Sequence, residues 1–206
     1  MLSWKCAALG IAVTLTSIAF TPGRALANGT HFVLELNTGL GESAYEDGGY
    51  GLAYGASFGF TWKIVNVPLR FALLGTVAGR NAAISGSYDG LDFASDRRDL
   101  DIYAAQRIGI PVWRMIRIYG EAGIGSRVRT ETLKLSGDLG TLTSASNELL
   151  VVLAVGVQAR VSEHFSIGFR GEMTPLSSDP DLAVAAAHLT PTYARMALLA
   201  QIGVHF

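Results

Sequence analysis

The last eleven residues, MALLAQIGVHF, alternate in character. Met196, Leu198, Ala200, Ile202, Val204 and Phe206 share one face, while Ala197, Leu199, Gln201, Gly203 and His205 share the other. YGLAYGASFGFTWK does the same, with Tyr50, Leu52, Tyr54, Ala56, Phe58, Phe60 and Trp62 against Gly51, Ala53, Gly55, Ser57, Gly59, Thr61 and Lys63. IRIYGEAGIGSRV repeats the pattern through Ile116, Ile118, Ala122, Ile124 and Val128. A period of two is that of a strand, whose successive side chains point to opposite faces. Eight such segments are expected, near 31–40, 50–63, 69–79, 98–110, 115–129, 148–161, 165–174 and 192–206. Their connections alternate between the short VNVPL, PVWRM and SEH and long polar stretches near 41–49, 80–97, 130–147 and 175–191. That alternation predicts an up-and-down antiparallel sheet with tight turns on one rim and loops on the other. The fourth loop is expected to hold a short helix over DLAVAAAHL, capped by Asp179 with Pro180 at its first position.

The face opposite the apolar one decides which side is outside. A soluble barrel would show water a face rich in Lys, Glu and Asp. Here that face is Gly, Ala, Ser and Thr with isolated Arg and Glu. Small residues suit the crowded interior of an eight-stranded barrel. Several segments exceed the roughly 9–11 tilted residues that cross a bilayer. The expected fold is therefore all-β, an eight-stranded antiparallel up-and-down transmembrane barrel with its apolar face toward lipid. An open edge would strand unpaired backbone groups in hydrocarbon, so the first segment must pair with the last. Phe60, Trp62, Trp113 and Phe165 fall near the short-turn rim, with Tyr50 and Tyr54 toward the loop rim. They are expected to form the aromatic girdles at the two interfaces.

Composition adds a compartment. Residues 1–27 carry a basic start, the apolar run CAALGIAVTLTSIAF and the small-x-small ending Ala25-Leu26-Ala27, the pattern of a cleaved secretory signal peptide. Residues 28–206 form the barrel domain. Cys6, the only cysteine, lies in the leader, so the mature chain has no disulfide to rely on. Lys5 and Arg24 leave with the leader, and 14 basic residues remain against 17 acidic ones, a net charge of −3. Such a balance gives no push toward nucleic acid. Half of the residues are hydrophobic and 16% are charged, a surface poorly suited to water on all sides.

The signal peptide, the eight segments, the four long connections and the terminal IGVHF resemble the small Gram-negative outer-membrane β-barrels of the OmpA-like, OmpX-like and opacity-type families. The likeness spans the mature chain and is architectural. It implies a bacterial outer-membrane location, outer-membrane lipid and lipopolysaccharide as surroundings, and a last strand read by the barrel assembly machinery. Ile202, Val204 and Phe206 match that terminal signal, with His205 as a minor departure.

The inward face is expected to carry Glu35, Arg70, Asp101, Arg107, Arg117, Glu121, Arg127, Arg160, Arg170, Glu172, Arg195 and Gln201. Unpaired buried charge is very costly, so these are expected to pair into a plug that stiffens the barrel. A narrow polar conduit is the alternative. A lipid A-modifying enzyme is a third reading, and it finds little support. His31 and His205 lie at the short-turn rim, His164 in a turn, and His188 in a loop near Thr190, with no strand-borne nucleophile beside a histidine in sequence. No catalytic residue, cofactor or metal site is expected. The carboxylates at Asp89, Asp92, Asp96, Asp99 and Asp101 lack the calcium-loop spacing. GLGESA at 39–44 is followed by no helix, and NGT at 28–30 sits at the new N-terminus. The expected role is structural or adhesive, with any extracellular ligand held by loops on a rigid frame.

Overall fold

The computed structural model describes residues 29–42, 50–63, 66–88, 91–135, 140–175 and 194–206. The proposed signal peptide, the helix over DLAVAAAHL, Asp89, Asp179, Pro180, His188 and Thr190 lie outside the described residues. Eight strands follow in order: β1 (His31–Glu42), β2 (Tyr50–Lys63), β3 (Arg70–Tyr88), β4 (Leu91–Pro111), β5 (Ile116–Leu135), β6 (Thr141–Arg160), β7 (Phe165–Pro175) and β8 (Ala194–His205). Each pairs antiparallel with its neighbours in sequence, and β1 pairs with β8 to close the barrel. Leu34 stands opposite Val204 and Leu40 opposite Leu198, so no edge remains for hydrocarbon to leave unpaired. The final residue continues the seal, its N–H donating to the Phe32 carbonyl at 2.9 Å.

The apolar face is the outer one. Leu36, Phe58, Ile102, Ile118, Val155, Phe169 and Leu198 are exposed, whereas Glu35, Asp101, Arg127, Arg170 and Gln201 are buried. This inverts a water-soluble protein, in which such charges are almost never fully buried. Outward aromatics also cover bare backbone. Tyr54 is paired with Gly79 and Phe58 with Gly75 across β2 and β3. A Cβ on Gly79 would fall 2.6 Å from the Tyr54 ring, so the glycine is what lets the ring lie flat across the strand.

Two of the expected loops are strand instead. The stretches 80–97 and 130–147 continue β3–β4 and β5–β6 well past the other strands, leaving only short connections at 89–90 and 136–140. Along β4 the outward residues Ile110, Ile108, Gln106, Ala104, Ile102 and Leu100 give way to Arg98, Asp96, Ala94 and Asp92. The change runs level across the sheet, since Asn81, Arg98, Thr130 and Ala145 are register partners in turn. Hydrophobic alternation stops there because the outer face leaves the apolar belt, while backbone pairing continues. The seven residues 91–97 extend β4 by roughly 20 Å at ~3.3 Å per residue. β1, β2, β7 and β8 stop lower, so the extension is four strands wide.

Candidate functional site

Inward positions place a continuous ionic network along the barrel axis. Arg107 forks onto Glu35, with both Nη groups donating at 2.7 Å, and its Nε donates to Glu121 at 2.8 Å. Arg170 lies 2.7 Å from the other Glu121 oxygen and 3.0 Å from Glu172. Glu172 is also paired with Arg80, whose Nε is 3.8 Å from Asp101. Asp101 accepts two 2.7 Å bonds from Arg127. Asp99 then gathers Arg97, Arg129, Arg195 and, at 3.9 Å, Arg127. Arg129 reaches on to Glu148 at 2.6 Å.

Neutral groups fix this chain of charges. The Arg107 guanidinium lies 4.2 Å above the Tyr119 ring, whose hydroxyl donates to Gln201 Oε1 at 3.0 Å. Gln201 and Gln158 donate to the two oxygens of Glu35 at 2.9 and 3.2 Å. Gly156 makes room for Tyr119, because a Cβ there would fall 2.3 Å from the ring. Tyr103 accepts from Arg170 at 2.9 Å. Fork geometry and satisfied lone pairs are what make buried ion pairs tolerable.

Glu35, Asp101, Arg107, Glu121, Arg127, Arg170, Glu172, Arg195 and Gln201 thus lie together in one network. Arg70, Arg117 and Arg160 do not join it. They sit at the short-turn end of the lumen, and none makes an ion pair with a carboxylate among the described residues, contrary to the expected plug of matched pairs. Arg160 instead donates to the turn carbonyls of Ser162 and Glu163 at 3.2 and 2.6 Å. Sequence reasoning missed Arg80, Arg97, Asp99, Arg129, Glu131 and Glu148, all assigned to loops or left out. The signal was parity, since Arg97 and Asp99 continue the inward register of Asp101, Tyr103, Ala105 and Arg107.

The remaining sequence candidates separate cleanly. Asp92 and Asp96 point outward on β4, and Asp96 pairs with Arg98 at 3.2 Å on the exposed surface. Gly39 and Gly41 of GLGESA lie within β1. Tyr50, Tyr54, Phe60, Trp113, Phe165 and Phe206 are exposed, and Trp62 stacks on Phe71 with ring centroids 6.1 Å apart. Phe32 bridges Phe60 and Phe206 at 5.7 and 5.9 Å, making an aromatic cluster at the seam. Ile202 lies outward on β8, opposite Leu36.

One pair was not legible. Ser166 Oγ lies 2.9 Å from His205 Nε2, bringing β7 and β8 together at the short-turn rim. A nucleophilic serine needs an exposed hydroxyl and a histidine oriented by a third group. Ser166 is buried, accepts a 2.9 Å bond from Gln158, and no carboxylate bonds to the His205 ring among the described residues. The pair ties the last strand to its neighbour.

No protein-family model and no curated protein sequence matches the chain. Solved structures do match its fold. A major outer membrane protein from Thermus thermophilus is 11% identical, with 87% of this chain and 100% of that one covered and a TM-score of 0.55. Ail, the attachment invasion locus protein of Yersinia pestis, solved in complex with the heparin analogue sucrose octasulfate, is 11% identical over 86% of this chain and 97% of that one, with a TM-score of 0.50. The outer membrane enzyme PagL, 13% identical over 84% and 98% with a TM-score of 0.45, is also similar. Identities this low speak for the fold alone. With a lipid-facing apolar exterior and a buried ionic interior, the chain is an eight-stranded barrel with the fold of the small bacterial outer-membrane β-barrel proteins.

Proposed function

We propose that the chain is a structural and surface-interaction barrel of the outer membrane, closed along its axis by the ionic plug and meeting extracellular partners through the extension of β3–β6. The carrying observation is the level change at Asn81, Arg98, Thr130 and Ala145, above which both the strands and their polar outer face continue. Rigid frames that present polar surface outside a membrane are where recognition is usually placed. In this reading residues 1–27 are removed as a signal peptide, the belt is surrounded by lipid and lipopolysaccharide, and Ile202, Val204 and Phe206 address the chain to the assembly machinery. No catalytic residue is assigned.

The test uses intact cells. Cysteine placed at Asp92 should react with a membrane-impermeant maleimide, and cysteine at Val155 should not. The purified barrel should then bind immobilised extracellular matrix protein or lipopolysaccharide, and a version lacking residues 84–95 should lose that binding while keeping its heat-modifiable migration. Equal binding by both would overturn the assignment to the extension. Steady conductance in planar bilayers would replace this reading with a pore, and an altered lipid A mass profile would replace it with an enzyme.

A further inference from the structure

The lumen charges balance until the short-turn rim. Among the described residues, seven inward arginines (80, 97, 107, 127, 129, 170 and 195) are matched by seven carboxylates (35, 99, 101, 121, 131, 148 and 172). Arg70, Arg117 and Arg160 then add three cations that line one cavity together. The carboxylate bordering this space, Glu35, is already taken up by Arg107, Gln158 and Gln201. Two buried polar atoms in the adjoining lumen space that Glu35 borders, Arg117 Nε and Thr61 Oγ1, have no hydrogen-bond partner among the described residues. Between the turns lies a cavity of about 200 Å³, lined by Lys63, Arg70, Arg114, Arg117 and Arg160 with no carboxylate among the described residues, and with Trp113 at its edge. That is room for a phosphate group with waters.

Clustered, partly buried cations are expensive unless counter-charge is supplied. Arginine forks are suited to phosphate, which accepts two parallel bonds from each. We propose that the periplasmic mouth of the barrel is a binding site for a phosphate-bearing anion, seated among Arg70, Arg117 and Arg160 with Lys63 and Arg114 at the entrance. Two sources share this chemistry: an anionic phospholipid headgroup from the leaflet beside Trp113, or a soluble phosphate compound in the periplasm. The site rests on the lumen geometry and is independent of the role assigned to the extension.

The experiment follows tryptophan emission of the refolded mature chain in two arms. In zwitterionic micelles it is titrated with inorganic pyrophosphate. In nanodiscs of phosphatidylcholine it is followed as phosphatidylglycerol is raised. A saturable change in the first arm identifies a site open to soluble phosphate, and a change in the second arm alone identifies a headgroup site. Either supports the proposal if R117Q and R160Q weaken binding about tenfold or more, the loss expected when one charge-assisted bond is removed, and if R98Q at the far rim does not. R160Q gives up only two bonds to turn carbonyls, so it serves as the variant that still folds, checked by heat-modifiable migration. No saturable change in either arm, or unchanged affinity in both mouth variants, overturns the site.

Discussion

Glu121 tests whether the plug is dry. Each of its oxygens meets a different guanidinium, Arg107 Nε at 2.8 Å and Arg170 at 2.7 Å, and the residue is 5% exposed. Glu121→Gln keeps the volume and removes the charge. Breaking a buried pair costs ~3–5 kcal/mol when the partner is left uncompensated. Here Arg107 keeps Glu35 and Arg170 keeps Glu172, so the loss belongs at the lower end, about 3 kcal/mol. Glu121→Ala also opens a cavity and belongs higher in the same range. The assay is reversible urea unfolding in lipid vesicles, read by tryptophan emission and by heat-modifiable migration. With a slope of ~1–3 kcal/mol per molar urea, such a loss moves the midpoint by about 1 M or more. The exposed Asp96–Arg98 pair is the control, because surface pairs contribute ~0–1 kcal/mol, and Arg98→Gln should barely move the midpoint. A Glu121→Gln loss below about 1 kcal/mol would refute the reasoning, since it would mean that water already solvates these groups.

Three further outcomes are expected. Leu153→Arg puts a charge midway down the apolar face of β6 and should destabilise by ~2–4 kcal/mol, whereas Thr130→Arg at the upper boundary should cost no more than ~1 kcal/mol in the same unfolding assay. Gly156→Val forces the Tyr119 ring away from Arg107 and Gln201, and should cost about 2–3 kcal/mol with loss of the Tyr119 hydroxyl bond seen by ultraviolet resonance Raman. Phe206→Ala removes the seam aromatic and should lower the fraction of chain that reaches the heat-modifiable form in cells, with little effect on refolding of pure protein into micelles; equal losses in both would assign Phe206 to stability instead of assembly.

The belt-spanning parts of all eight strands were legible because lipid on one side and packed lumen on the other force an apolar and polar alternation. The same logic explains the miss above the belt. Asp92, Asp96, Arg98, Thr130 and Thr132 point outward into water, and the inward face mixes Phe93 and Leu133 with Ser95, Arg97 and Glu131, so no apolar face marks the stretch and it resembles a loop. Only the odd-numbered run Arg97, Asp99, Asp101 kept the inward register in view. Pairing was harder still. Arg80 on β3 meets Glu172 on β7, and Arg195 on β8 meets Asp99 on β4, contacts across the lumen that depend on strand tilt and not on spacing in sequence. Arg70, Arg117 and Arg160 shared the inward parity of the network, and parity alone does not distinguish a matched charge from a surplus one.

Alternation fixes which face of a strand meets lipid, but it is blind to a shift of two residues, which returns every side chain to the same face. The charges supply the missing information between β4 and β5. In the observed register Arg97 stands opposite Glu131, Asp99 opposite Arg129, Asp101 opposite Arg127 and Arg107 opposite Glu121, four opposite-charge pairs in one hairpin. Sliding β5 by two residues one way would set Asp99 against Glu131 and Arg107 against Gly123. The other way would set Arg97 against Arg129 and Asp101 against Gly125. Each slip places like charges together and strands another charge in the lumen, where the penalty is largest. β6 extends the rule, with Glu148 opposite Arg127. A lumen lined with leucine and valine would pack as densely and accept all three registers, so the ionic interior is better explained as the device that selects one register than as a source of net stability.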